Sequence, residues 1–118
     1  MISGINLNEV QDFILPEDKE NPTVWKLGVI SSYLMGQLAE KGAEANKMDM
    51  MFKVAQLGIK GWTNLKDVEY KSVKDKMFGQ DVEIVPIDIL SKIPMPIISQ
   101  LALKILGINK ITTEEIKN

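Results

Sequence analysis

The run from Ile93 to Gly107 constrains this chain most. Ile93-Pro94-Met95-Pro96 ends any helix before it, because proline lacks the N–H that a helix interior needs. Either proline fits the first turn of a new helix. Over residues 95–106, Ile97, Ile98, Leu101, Ala102, Ile105 and Leu106 fall at a/d-like spacing and predict one apolar stripe. Gly107 suits a C-cap, with Ile108 as the apolar contact of a Schellman motif. A stripe this apolar needs a covering surface, which the rest of the chain has to supply.

The front of the chain has a different period. Val10 to Leu15 alternates loosely, and Thr23 to Ile30 is rich in strand formers. Between them, Pro16-Glu17-Asp18-Lys19-Glu20-Asn21-Pro22 marks a turn or surface loop. Trp25, Leu27 and Val29 are expected on the core face of the second strand. Ser31-Ser32 offers an N-cap for a helix to about 39–41, with Tyr33, Leu34, Met35 and Leu38 as its apolar side. Gly42 closes that helix, and a small polar loop to Asn46 follows. The next helix, 48–59, carries Met48, Met51, Phe52, Ala55 and Ile59 on one stripe, widened by Met50, Val54 and Leu57. Gly58 and Gly61 mark its end, and a turn begins at 64–67. Residues 68–73 are expected as a strand, 74–76 as a solvated turn, and Val82, Ile84 and Val85 as a short extended piece. Pro86 opens a short helix to about 92, and Thr112 or Thr113 caps a last turn at 114–117. The expected fold is α+β, with a small antiparallel sheet packed against three to four helices. It forms a single domain over 1–118: a strand pair at about 10–30, a helical middle at 32–60, a strand region at 68–85 and C-terminal helices at 86–117.

Composition narrows the chemistry. The chain has 118 residues with no Cys and no His, and all 14 basic residues are Lys. Disulfides, thiol nucleophiles, zinc–thiolate sites and imidazole bases are therefore absent within the chain. No catalytic, metal or cofactor-binding residue is assigned, no cofactor is expected, and the chain is read as not an enzyme. The lack of Arg and a net charge of −2 argue against specific nucleic-acid binding. No apolar run is long enough to span a membrane, and the opening carries Glu9 and Asp12 in place of a basic leader segment.

Charge is uneven along the chain. Residues 1–46 hold three Lys against seven acids, 47–76 seven against four, and 77–118 four against five. An acidic front and a basic middle could dock copies head to tail, or form a mixed solvated surface. Met48, Met50 and Met51 serve as gap-filling core or as an adaptable surface. Trp25 and Trp62 are core rings or interface anchors. Asp67 with Glu69, and Asp81 with Glu83, would share a strand face, as solvated acids or as a cation pair. Gly58-Ile59-Lys60-Gly61 lacks the spacing of a phosphate loop.

Two short motifs carry a family resemblance. Gly58-Ile59-Lys60-Gly61-Trp62-Thr63-Asn64-Leu65-Lys66-Asp67 resembles a G-L-K-G-W-x-N-x-x-D stretch in small tailed-phage and prophage proteins of virion-morphogenesis clusters. Asn21-Pro22-Thr23-Val24-Trp25-Lys26-Leu27-Gly28 is similar to their N-P-T-x-W-x-x-G opening. The helix, proline break, apolar helix and charged end that follow match in layout. A glycine that follows the Trp–Asp turn there is missing here, and Gly79 comes much later. The resemblance implies a phage or prophage assembly or virion structural protein, in the manner of a tail-assembly chaperone. It would act in the host cytoplasm or the virion, on phage structural proteins or copies of itself. A small regulatory or host-interaction protein with one protein partner is the alternative. Trp25, Gly58, Gly61, Trp62, Asn64 and Asp67 are the architectural or interaction candidates.

Overall fold

The opening hairpin forms as its alternation predicts. In the computed structural model, which describes residues 1, 4–42 and 47–109, strand β1 (Val10–Phe13) pairs antiparallel with β2 (Val24–Gly28), Phe13 opposite Trp25 and Val10 opposite Gly28. Trp25 and Leu27 are buried, while Val29 is only half-buried. Helix α1 (Ser32–Gly42) follows, and the Ser31 hydroxyl accepts the Leu34 N–H at 3.3 Å. Leu34, Met35 and Leu38 point inward, but Tyr33 is exposed, because the core covers a narrower arc than the sequence stripe.

Helix α2 (Lys47–Gly58) ends one residue earlier than its stripe predicts, and Ile59 opens strand β3 (Ile59–Thr63). β3 pairs antiparallel with β2, giving the order β1-β2-β3. Between the helix end marked by Gly58 and Gly61 and the turn at 64–67, the sequence carries no strand signal, so β3 was not expected. Trp62 lies opposite Trp25, and Ile59 opposite Leu27, although Ile59 and Trp62 are an odd number of residues apart. A bulge resolves the conflict. Lys60 is the extra residue in β3, so the alternation shifts by one and both apolar side chains face the core. The buried face of α2 is also displaced from the expected one. Met50, Val54, Ala55 and Leu57 are buried, Met51 and Phe52 half-buried, and Met48 exposed.

Strand β4 (Val73–Met77) and strand β5 (Gln80–Ile84) make a separate two-stranded sheet. The antiparallel strands are thus divided between two sheets; of the strand expected at 68–73 only Val73 is strand, Asp67 and Glu69 share no strand face, and the lysine-rich 74–76 run is strand where a turn was expected. A two-residue turn sets that register. Phe78 and Gly79 both have positive φ, 52° and 76°, the geometry that matches hairpin twist. Phe78 accepts this backbone conformation while its half-buried ring packs against the core, with the Lys53 ammonium 5.9 Å from the ring centre. Because both faces of β4 are largely solvated, its sequence shows no apolar alternation.

Helix α3 (Ile87–Leu90) begins after Pro86, and helix α4 (Met95–Ile108) after Pro94, with Pro96 in its first turn. Ile98, Leu101, Ala102, Ile105 and Leu106 are buried against α2 and the sheet. Gly107 stays helical and Asn109 is the C-cap. The Asn109 carboxamide explains why. Its oxygen accepts the Ile30 N–H at 2.8 Å and its nitrogen donates to the Ile105 carbonyl at 2.8 Å, tying the end of α4 to the end of β2. The expected loop at 43–46 and last turn at 114–117 lie outside the described residues.

One buried polar group joins the two sheets' supports. Gln56 donates from Nε2 to the Val85 carbonyl at 3.0 Å, and its own backbone carbonyl accepts the Val85 N–H at 3.2 Å. Replacing Gln56 with Leu will leave the Val85 carbonyl unpaired. Equilibrium urea unfolding is expected to show a loss of about 1–3 kcal/mol.

Candidate functional site

The two motifs, separated in sequence, form one corner of the molecule. Trp25 and Trp62 lie side by side, ring centres 5.6 Å apart and tilted 59°. The Trp62 Nε1–H donates to the Val68 carbonyl at 2.9 Å, and Tyr70 meets the same ring edge-on at 5.1 Å. Among the described residues, the buried Trp25 indole N–H has no partner. The loops beyond the strands are bound to each other. Thr23 donates its hydroxyl to the Asn64 carbonyl at 2.8 Å, and the Asn64 amide donates back to the Asn21 and Pro22 carbonyls. Asp18 accepts the Thr23 N–H at 2.9 Å. Asn21, Asn64 and Asp67 all have positive φ, which Asn and Asp tolerate better than most residues.

Four of the six candidate residues are therefore inside. Trp25 and Trp62 fill the core face of the sheet, Gly58 lies beneath Ile105 of α4, and Gly61 lies beneath the aliphatic stem of Lys26. Asn64 and Asp67 are exposed turn residues. β2 pairs with β3 at this corner and with β1 on its far side, where the N-terminal arm enters the strand.

That far side is the exposed apolar surface. Ile5, Leu7, Val10 and Ile14 are all about half exposed, from 45% to 57%. β1 is an edge strand, and among the described residues its outer backbone edge has no hydrogen-bond partner. At the start of β1 a groove of about 540 Å³ opens between the arm, the end of β2, α1 and the end of α4. Ile5, Val29, Ile30, Met35, Ala39 and Ile108 line it, and Gly36 leaves space on α1. Sequence reading missed this site. Ile5, Leu7, Val10 and Ile14 follow no single helical or strand period, so only their density in a polar opening segment signalled it.

Charges around the edge are mostly matched. Asp12 pairs with Lys26 at 3.0 Å, and Lys104 sits 5.3 Å from the Phe13 ring centre. Glu17 accepts from the Gln100 amide at 2.8 Å, which holds its carboxyl below the usual range. Glu9 is the one carboxylate among the described groove-lining residues, and no described residue pairs with it. The basic middle of the chain does not gather into a patch on the hairpin. There Lys74 stands opposite Glu83, and Lys76 lies 3.6 Å from Asp81. Glu83 also accepts from the Ser72 hydroxyl.

Lys60, the bulge residue, lays its stem across Gly28 and lines a second hollow with Leu7, Leu34 and Glu83. Partial burial pushes its ammonium below the ordinary lysine value, and Glu83 opposes the shift. Among the described residues no cluster of three or more acidic side chains is placed to hold a metal ion, and no helix is long and apolar enough to cross a membrane. No family model, curated protein or solved structure matches the chain.

Proposed function

We propose that this chain is a non-enzymatic assembly protein of a tailed phage or prophage that works through protein–protein contacts. One observation supports contact over chemistry: four exposed apolar side chains, Ile5, Leu7, Val10 and Ile14, lie on β1 and the segments flanking it, and β1 is an open strand edge. Unblocked edges of this kind pair readily with other chains. The phage context rests on the two motifs, which together make the Trp25–Trp62 corner. Partners are phage structural proteins or further copies of this chain. A regulator with one protein partner uses the same surface and is the second reading.

Light scattering across a concentration series, followed by co-purification with products of neighbouring genes, tests the proposal. A discrete oligomer several times 13.2 kDa, or recovery of a virion component, is the expected result. A concentration-independent monomer that recovers no virion component would overturn it. Recovery of a single host protein would favour the regulator. In the same assay, Leu7→Asp with Val10→Asp is expected to weaken association by about tenfold or more, equivalent to at least about 1.4 kcal/mol. The melting temperature should move little, because both side chains are exposed.

A further inference from the structure

We propose that β1 and the groove beside α1 together bind an extended segment of a partner protein, which adds to the sheet as a fourth strand and places a bulky apolar residue in the groove and a cationic residue beside Glu9. This rests on the reading of the chain as a contact protein and specifies how contact is made.

Three features meet near the start of β1. An edge strand turns the N–H and C=O of alternate residues outward, so β1 offers main-chain bonds to any extended chain laid beside it. The groove opens beside Glu9, the residue that immediately precedes β1, so the start of the strand edge and the groove are neighbours. The groove lining is apolar apart from Asn6, Ser32, Asn109 and Glu9, and the Glu9 carboxylate has no partner among the described residues. The charge selects the occupant. A lysine or arginine would complete Glu9, whereas an acidic segment would meet Glu9 and the carboxylates of the following loop, Glu17, Asp18 and Glu20. Strand addition gives affinity through the backbone, and the adjacent groove gives specificity through one side chain. Asn109 clamps the ends of β2 and α4 at one wall of the groove, and Asp12–Lys26 holds β1 to β2.

The test uses the full chain and a displayed library of random dodecapeptides as the probe. Enriched peptides are expected to combine a large apolar residue with a nearby lysine or arginine. Their binding should fall at least about tenfold in Ala39→Trp, which fills the groove, and in Glu9→Lys, which reverses the charge. Thermal melts of both variants should stay close to the parent, since Glu9 is exposed and Ala39 is only half-buried beside an open groove. Hydrogen exchange supplies the second readout: bound peptide should slow amides within 10–13. No enrichment, a consensus without a cation, or binding that leaves those amides unprotected would overturn the proposal. Its outcome does not depend on a phage partner. Failure here with a virion protein still recovered would leave the functional reading standing and remove only strand addition.

Discussion

Replacing Trp62 with alanine is expected to cost about 3–5 kcal/mol, against a total of about 5–15 kcal/mol for a typical small domain. The ring is 8% exposed, packs on Trp25 and Tyr70, and closes the Val68 carbonyl with its N–H. Alanine removes all three contacts and leaves a cavity between β3 and the loop after it. The loss concerns more than area. Val68 lies in the segment that leads from β3 to the β4–β5 hairpin, so that segment loses its polar anchor too. Trp62→Phe separates the two effects. It keeps most of the packing and loses the hydrogen bond, with an expected cost of about 1–3 kcal/mol. Guanidinium unfolding of both variants checks the order. An unchanged midpoint for Trp62→Ala would contradict the burial of the ring.

Gly58→Ala is the second large effect, and its sign runs against helix propensity. Alanine is favoured over glycine in a helix interior by about 1 kcal/mol, and less at a helix end. A Cβ at this position would fall 2.4 Å from Ile105 Cγ2 and 2.7 Å from its Cδ1. Ile105 is fully buried, so it cannot swing away without displacing α4. Overpacking of this kind costs about 1–3 kcal/mol, which outweighs the propensity gain. The position has ordinary helical backbone, so glycine is required here by the closeness of α2 and α4 and not by a special φ. A double-mutant cycle isolates the cause. Ile105→Ala, which removes Cγ1, Cγ2 and Cδ1 together, should recover part of the Gly58→Ala loss, with a coupling energy of about 0.5–3 kcal/mol. Strictly additive losses would show that the contact with Ile105 is not the reason.

The strongly patterned parts of the fold were legible in sequence. The hairpin of β1 and β2 follows from two strand-forming runs joined by a polar loop that Pro16 and Pro22 bracket. α4 follows from its stripe, and the start of α1 from Ser31. The sequence failed where local and tertiary forces disagreed. Gly61-Trp62-Thr63 lies between a helix end and a turn with no strand signal of its own, yet it pairs with β2 because Trp62 and Ile59 can both reach the core once Lys60 bulges outward. Val73–Met77 lacks alternation because both of its faces meet solvent, so its strand depends on pairing with β5 through the Phe78-Gly79 turn. Met48 and Tyr33 satisfy a helical stripe by spacing, but no neighbour covers them.

The candidate site divides in the same way. Trp25, Gly58, Gly61, Trp62, Asn64 and Asp67 are singled out by the two motifs, and the tertiary structure brings Trp25, Trp62 and Asn64 into one corner while Gly58 packs against α4. The surface that corner supports was not legible, because an open strand edge is a property of sheet order and not of residue type. By itself, the sequence determined the α+β class, the two proline breaks and the absence of imidazole and thiol chemistry, since local propensity and side-chain inventory need no partner. Only the tertiary structure decided which strands became edges, which face of each helix was covered, and that Glu9 and the groove lie beside β1. Those outcomes depend on contacts between residues far apart in the chain.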